Sequence, residues 1–249
     1  MPDLVLREDR GTAAHLILNR PDKLNSLNVP VFEALDAQVR SLAQDKDGIA
    51  VVVLRGAGRC FSAGHDLGDI ATGEKLPAPN YQAKVIERLA TLPLPIITAV
   101  HGHCYTGALE LALAGDLILA AESARFADTH AKWALTPVWG LSQRLPRRIG
   151  TTKAREMMFT CRTYSGREAA AMGLANSCVA DEEFLPAIDA LAAEIAANSS
   201  FSHAANKRLL DDTDGLPLSE GLAHEAYRGE GRGPDMADRI AAFAARKRN

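Results

Sequence analysis

The stretch from Pro95 to Gly115 constrains the fold most, because an apolar run passes through a His-Gly-His turn into a helix-like segment. One acid, Glu110, stands in that segment among Ala and Leu residues. A buried, unpaired carboxylate is costly or has its pKa raised, so Glu110 needs a partner or a chemical task. Gly107 lies one turn earlier on the same helix face, where unpaired backbone N–H groups begin the helix. The stretch predicts a place for an anion beside an acid or a base.

Strand, glycine turn and helix alternate along most of the chain. Ile49–Leu54 and Pro95–Val100 are continuous apolar runs, typical of strands buried on both faces of a parallel sheet. Apolar residues recur at helical spacing over Pro30–Ala43 and Tyr81–Leu92. This alternation favours a layered α/β fold over a helical bundle or a β-sandwich.

Further elements follow from turn and capping residues. Two short runs, Leu4–Arg7 and Ala13–Leu18, predict a hairpin around a charged turn. Glycine and two prolines indicate a mobile loop over Asp69–Asn80, and Phe126–Trp139 is predicted to be irregular. Helices are predicted at these segments: Thr151–Phe159, Ser165–Met172 with Ser165 as its cap, Ile188–Ala197, His203–Leu210 and Arg239–Lys247.

Composition narrows the classes of partner and compartment. The 249 residues, 47% of them hydrophobic, suffice for one large domain, alone or with an appendage. The net charge of −3 gives no reason to expect nucleic acid or an anionic membrane as the main binding partner. The four cysteines lack CxxC spacing, which predicts reduced thiols in a cytoplasmic protein and neither a zinc site nor a disulfide scaffold. We expect no signal peptide and no membrane span, because the N-terminal residues are charged and no apolar segment is long enough.

Several motifs together resemble the crotonase superfamily, also called the enoyl-CoA hydratase/isomerase family. They are NRPDKLNSL at Asn19–Leu27, FSAGHDL at Phe61–Leu67, the stretch Pro95–Asp116, Gln143–Leu145 and the basic C terminus. The resemblance implies a spiral core of ββα turns with an acyl-CoA site over residues 1–181, and a helical region over 182–249 that forms trimers, often paired into hexamers. It implies an acyl-CoA thioester as substrate, with no separate cofactor and no metal.

The resemblance also implies roles in the chemistry. The backbone N–H groups of His65 and Gly107 match an oxyanion hole for the thioester carbonyl, in which each donor is worth about 2.7–4 kcal/mol to the transition state. Glu110 matches the first of two catalytic glutamates of the hydratases. The alternative for Glu110 is a buried structural acid satisfied by hydrogen bonds.

The second glutamate is absent. Hydratases carry it in a segment resembling F-x-x-P-E, and His130 stands at that place in Phe126–His130. An imidazole accepts or donates a proton near pH 7, so His130 is a candidate acid or base, the alternative being a polar loop residue. Asp128 is able to orient His130 only if the loop bends, because side chains alternate in an extended chain.

Binding residues are implied in the same way. The expected coenzyme A contacts are Lys23, Ala63, Asp66, Phe243 and Lys247, the last beside Arg246 and Arg248 at a basic helix end that is equally typical of a solvated terminus. Tyr105, Trp133 and Trp139 are the expected acyl pocket, and their bulk indicates a short, flat or aromatic acyl group unless they are core packing.

Four activities remain open on the sequence. Reversible hydration of an enoyl-CoA would use Glu110 assisted by His130, whereas double-bond isomerisation needs Glu110 alone. Hydrolysis of a thioester or a β-dicarbonyl would use His130 to activate water. A protein that binds acyl-CoA without turnover is the fourth.

Overall fold

A computed structural model describes residues 3–44 and 48–246 of the chain. It opens with an antiparallel hairpin of β1 (Val5–Arg10) and β2 (Ala13–Leu18). The hairpin was predicted, but its turn lies at Gly11 and Thr12 because the charged residues before it stay in the strand. They do so since β1 is an edge strand whose outer half is exposed.

Two sheets form the β layers. The larger has six strands in the order β1, β2, β3 (Val51–Gly56), β4 (Ile96–Val100), β6 (Leu117–Ala121) and β9 (Ser177–Val179), all parallel after β1. The smaller contains β5 (His103–Tyr105), β7 (Arg125–Ala127) and β8 (Tyr164–Ser165), with β5 and β7 parallel. The predicted buried strands lie at the centre of the larger sheet.

Ten helices cover the sheets and form the tail in the described part of the chain. They are α1 (Val29–Gln44), α2 (Leu67–Thr72), α3 (Tyr81–Ala90), α4 (Gly107–Ala112), α5 (Leu141–Thr160), α6 (Gly166–Ala171), α7 (Phe184–Ala196), α8 (Ser200–Thr213), α9 (Leu218–Arg228) and α10 (Met236–Arg246). Short 3-10 turns occur at Pro21–Lys23, His130–Trp133 and Asp181–Glu183.

One loop prediction was wrong in part, and two helical segments were missed. The Asp69–Asn80 loop is helical in its first part, because α2 starts at Leu67 with Asp66 as its cap. The predicted helix Thr151–Phe159 is confirmed as the second part of α5, whereas the first part, from Leu141 to the kink at Gly150 with φ of +76°, was missed. The sequence interpretation also omitted α9. The predicted cap at Ser165 is confirmed, and forms a capping box with Glu168.

The larger sheet is buried on both faces, which confirms the α/β fold class. One face packs on α1 and α3, and the other receives Phe184, Ile188 and Ala192 of α7 on Val51 and Val53. The three helices after α7 instead present large apolar side chains to solvent, among them Leu210, Leu218, Leu222, Tyr227, Ile240 and Phe243. The boundary at residue 181 stays a prediction.

The smaller sheet brings distant segments to one place. Tyr105 of β5 pairs with Ala127 of β7. Because the two strands are parallel, the residues that follow each strand lie at the same end of the sheet. The chain after β3 joins them, since Phe61 and Ser62 donate backbone hydrogen bonds to His101 and His103. Three segments of the resemblance therefore meet at one end of β5.

Candidate active site

The NRPDKLNSL motif makes hydrogen bonds that hold the loop before α2 in place. Asn25 is buried and donates to the carbonyls of Ala57 and Cys60. Arg20 lies 2.7 Å from Asp66, whose other carboxylate oxygen accepts the N–H of Gly68. Burial alone would raise the pKa of Asp66, but these hydrogen bonds hold it below its ordinary value. The motif thus fixes the backbone that carries His65.

Two backbone amides face each other at the candidate oxyanion hole. A Cβ placed on Gly107 would lie 3.3 Å from the N atom of His65, and one on Gly64 would lie 3.7 Å from the N atom of Gly107. Neither amide donates to another group in the described part of the chain. Gly64 has φ of +103° and lies against the carbonyl of Tyr105, so no side chain fits there. Both amides are free to hold one oxygen atom.

Glu110 is buried, and its two carboxylate oxygens differ. Oε1 accepts the backbone N–H groups of Trp139 at 2.8 Å and Leu141 at 3.1 Å. Oε2 lies 3.7 Å from Nε2 of His130, too far for a hydrogen bond. Burial raises the pKa of Glu110, opposed by the two N–H groups and by His130. One oxygen is therefore anchored, and the other is available for proton transfer.

His130 is oriented by a carboxylate two residues earlier. Its Nδ1 lies 2.6 Å from Oδ1 of Asp128, which also accepts the backbone N–H of His130. The loop bends into a 3-10 turn at His130, so the condition for Asp128 to reach the imidazole is met. With Nδ1–H donating to Asp128, Nε2 is the atom directed at Glu110. Asp128, His130 and Glu110 form a line of three groups that hold or move protons.

A strained threonine links the two halves of the site. Thr106 precedes α4 with φ of +53° and ψ of −108°, a conformation suited to glycine and rare for a β-branched residue. Such backbone strain costs on the order of 1–3 kcal/mol. Its hydroxyl lies 2.5 Å from that of Thr129 and accepts the N–H of Thr129. These hydrogen bonds to the segment that carries His130 keep Thr106 in its strained conformation.

The side chain of His65 makes contacts that are separate from the candidate role of its backbone N–H in the oxyanion hole. Its Nε2 lies 2.6 Å from Glu74, which also accepts from Gln82 and from the backbone N–H of Val29. The imidazole packs at 4.7 Å, centroid to centroid, on the ring of Trp139. The segment after α2, predicted as a mobile loop, is tied down by these contacts.

A cavity of about 540 Å³ contains the catalytic candidates and the predicted acyl pocket. Its lining includes His65, Gly107, Glu110, His130, Tyr105, Trp133, Trp139 and Ala63. Trp139 is buried against Phe32 and lies over Gly107, whereas Trp133 is half exposed at the wall. The structure brings together every predicted catalytic, amide and acyl-pocket residue.

The residues predicted to contact coenzyme A do not all lie at the cavity. Lys23 is exposed beside the cavity segment, since Leu24 accepts the N–H of Ala63. Asp66 uses both carboxylate oxygens within the protein. Phe243 is exposed on α10 and does not line the cavity, and Lys247 lies outside the described residues. Only Ala63 among them lines the cavity, and their roles stay predictions.

Sequence reasoning missed the threonine pair and Glu74. Nothing in the local sequence indicated the contact of Thr106 with Thr129. In residues 3–44 and 48–246, no group of three His, Cys, Asp or Glu side chains is arranged to hold a metal, and all four cysteines are free thiols. No helix in those residues is both long and apolar enough to cross a membrane.

Comparisons with known proteins agree with this geometry. A family model described as enoyl-CoA hydratase/isomerase matches residues 8–228. The chain is 32% identical to "Probable enoyl-CoA hydratase 1, peroxisomal" of Arabidopsis thaliana, over 90% of this chain and 84% of the relative. It is 31% identical to 1,2-epoxyphenylacetyl-CoA isomerase of Escherichia coli (strain K12), over 99% and 97%. The crystal structure of an enoyl-CoA hydratase from Bacillus anthracis is similar with a TM-score of 0.90 at 30% identity, over 98% and 96%.

Proposed function

Because this chain belongs to the enoyl-CoA hydratase/isomerase family, we propose that it adds water reversibly to the double bond of a 2-enoyl-CoA thioester. The observation that carries this proposal is the 3.7 Å gap between Oε2 of Glu110 and Nε2 of His130. The gap opens on the cavity that also holds the amides of His65 and Gly107. A water oxygen placed about 2.8 Å from each of these two atoms would hydrogen-bond to both at that separation.

The reaction needs the thioester carbonyl to take up negative charge as water adds. The amides of His65 and Gly107 donate to that oxygen and stabilise the enolate-like state. The water oxygen bonds to Cβ and gives a proton to the Glu110–His130 pair, and a proton from the pair goes to Cα. The double bond is thereby converted to a 3-hydroxyacyl thioester, and the pair ends with the same number of protons.

The electrostatics suit this exchange. Burial raises the pKa of Glu110, so its Oε2 accepts a proton more readily than an exposed carboxylate does. Asp128 fixes the orientation of the imidazole and stabilises positive charge on His130. A carboxylate and an imidazole share a proton without the mutual repulsion of two carboxylates. The pair therefore supports the role that two glutamates share in the hydratases to which the sequence is similar.

The partners follow from the same assignment. We propose coenzyme A contacts from Lys23, Ala63, Asp66, Phe243 and Lys247, with those of Phe243 and Lys247 made to a neighbouring subunit's substrate. The exposed apolar residues of α8–α10 support a homotrimer or a hexamer. Four free cysteines support a reducing compartment such as the cytoplasm. We propose no cofactor apart from the coenzyme A of the substrate.

Hydrolysis is the second candidate, favoured by the 2.6 Å contact of His130 with Asp128. In that reaction His130 would direct water at the carbonyl carbon, and free coenzyme A would leave. Isomerisation is the third outcome, because Glu110 alone moves a proton between two carbons.

Mass spectrometry of a panel of enoyl-CoA and acyl-CoA thioesters incubated in heavy water separates these reactions. Hydration predicts gain of water with no free coenzyme A. Deuterium uptake without water indicates isomerisation, and free coenzyme A indicates hydrolysis. Binding with no turnover on any thioester overturns all three.

Glu110→Gln and His130→Gln test the assignment of the pair. Each should abolish most water addition, since acid–base catalysis contributes about 10²–10⁴-fold. Glu220→Gln on the exposed face of α9 is the matched control and should keep full activity.

A further inference from the structure

We infer that Thr106 and Thr129 form a positioning pair, whose hydroxyl contact sets the distance between His130 and Glu110. The inference deepens the proposed function and rests on it for its kinetic consequences. Neither threonine is given a proton-transfer step. Their task is to hold two segments of the site in one arrangement.

Three hydrogen bonds join Thr106 to the segment that carries His130. Its N–H donates to the carbonyl of Ala127 at 2.8 Å, continuing the pairing of β5 with β7. Its hydroxyl oxygen accepts the N–H of Thr129 at 3.1 Å and lies 2.5 Å from the Thr129 hydroxyl. Thr129 is bonded in sequence to His130, so a shift of either hydroxyl moves the imidazole.

On its other side, Thr106 is joined to the remaining groups of the site. Its carbonyl accepts the N–H of Glu110 at 3.0 Å, and the next residue is Gly107, whose amide faces the cavity. The acid, the amide and the imidazole are thus each one bond or one residue away from this pair.

The backbone conformation indicates what the threonine side chain contributes. Glycine adopts φ of +53° with ψ of −108° freely, whereas a β-branched residue is strained there. Threonine therefore adds to glycine only its side chain at this position. The only partner of its hydroxyl among the described residues is Thr129. Thr106→Gly should therefore relieve the backbone strain and keep the protein stable, while the loss of the hydroxyl should disturb the position of His130.

The 3.7 Å gap is the quantity that depends on this contact. Nδ1 of His130 is held by Asp128 within its own segment, and Oε1 of Glu110 is held by the amides of Trp139 and Leu141. Nothing between Nε2 and Oε2 fixes their separation, since the two atoms do not hydrogen-bond. The contact between the two hydroxyls is a side-chain bond that joins both sides, because Thr106 precedes the helix of Glu110 and Thr129 precedes His130.

Nitrogen NMR of the protein labelled at histidine tests the inference without substrate. The Nε2 resonance of His130 reports on Oε2 of Glu110, and the Nδ1 resonance reports on Asp128. In Thr106→Gly and Thr129→Val, we expect the Nε2 resonance to move toward its position in Glu110→Gln while the Nδ1 resonance stays. Thr106→Ser keeps the hydroxyl and should retain the wild-type Nε2 position. An unchanged Nε2 resonance in both hydroxyl-deleting variants overturns the inference.

Kinetics of whichever thioester reaction the wild type catalyses provide the second readout. Thr106→Gly and Thr129→Val should each lower kcat by about tenfold to hundredfold with KM nearly unchanged, because a misplaced proton carrier slows chemistry more than binding. Thr106→Ser should restore kcat. The double variant should lose no more than Thr106→Gly alone, since that variant already removes the contact that Thr129→Val breaks, together with the N–H bond of Thr129. Thr91→Val, an exposed threonine bonded only within α3 and its end, is the control.

The two levels of failure are distinct. A wild-type protein that converts no thioester refutes the proposed function, while the NMR result still decides the positioning role. An active wild type with full kcat in Thr106→Gly, or additive losses in the double variant, refutes the positioning pair alone. A melting temperature for Thr106→Gly equal to or above wild type shows that any loss of kcat does not reflect unfolding.

Discussion

Nδ1 of His130 lies 2.6 Å from Oδ1 of Asp128, and that same oxygen accepts the backbone N–H of His130. One carboxylate oxygen thus sets both the ring orientation and the turn from which the ring projects. Asp128 is fully buried, so the pair is shielded from the solvent screening that weakens surface contacts.

Asp128→Asn should lower kcat by about a hundredfold, because a neutral amide oxygen holds Nδ1–H less strongly than a carboxylate and no longer stabilises positive charge on the imidazole. Folding should be retained, since the amide oxygen still accepts the His130 N–H. Steady-state kinetics and thermal unfolding check both parts. Asp181→Asn is the matched control, because Asp181 also accepts a backbone N–H but lies outside the cavity. Wild-type kcat in Asp128→Asn would contradict the orienting role.

Glu110→Gln should change stability in a pH-dependent direction. The pKa of Glu110 is raised above 4.5 by burial, so the neutral acid is favoured in the fold. That favourable contribution is complete below the unfolded pKa and is lost as pH rises through the folded pKa. The variant, which does not titrate, should therefore be more stable than wild type at neutral pH, with the difference shrinking toward acid pH.

Urea unfolding of both proteins between about pH 4 and pH 8 measures that difference. Glu220→Gln supplies the baseline for an exposed glutamate. Equal destabilisation of Glu110→Gln at all pH values would instead assign Glu110 a structural role.

Gly107→Ala should disturb the amide pair without removing either amide. The new Cβ would lie 2.5 Å from Cζ3 of Trp139 and 3.3 Å from the N atom of His65. We expect a loss of about 1–3 kcal/mol from overpacking, together with a large loss of kcat. Gly221→Ala in α9 meets only an ordinary contact and should be neutral or stabilising.

Trp139→Leu in the Gly107→Ala background should recover stability, because it removes the ring that the new Cβ meets. Stability without recovery of kcat would show that the Cβ also blocks the amide of His65. Chemical denaturation and kinetics on the same samples distinguish the two effects.

Glu74→Ala should release the segment of residues 67–80. Glu74 contacts His65, Gln82 and the backbone of Val29, which belong to three different elements. We expect faster amide hydrogen exchange over residues 67–80, and a rise in KM larger than the fall in kcat. Lys75→Ala, at the exposed neighbouring position, should leave exchange unchanged. Equal exchange in both variants would contradict the anchoring role.

The buried strands were predictable because their apolar character is continuous. Ile49–Leu54 and Pro95–Val100 correspond to β3 and β4 within two residues at each end. Helix α2 was hidden by the glycine and prolines that follow it, although Asp66 is a good cap. The first half of α5 was hidden by Pro146, a local helix breaker that tertiary packing overrides, whereas Gly150 does interrupt the helical backbone.

Site residues that belong to a sequence motif could be predicted, whereas contacts between segments distant in sequence could not. Glu110, Gly107 and His130 were named from motif positions, and they line one cavity. The bend at Asp128 and the contact of Thr106 with Thr129 depend on the parallel register of β5 and β7. That register pairs residues 22 positions apart in sequence, so no local pattern encodes it.

His65 shows that one residue can serve two separate requirements. Its main chain faces the cavity, while its ring binds Glu74 and packs on Trp139. Any residue type except proline supplies a backbone N–H, so the proposed chemistry leaves the identity of this side chain largely open. Exchange of the ring is therefore expected to alter how firmly residues 67–80 are held beside the cavity without removing the backbone N–H at position 65. Anchoring of this segment and the proposed binding of the carbonyl oxygen are thus separable at a single position.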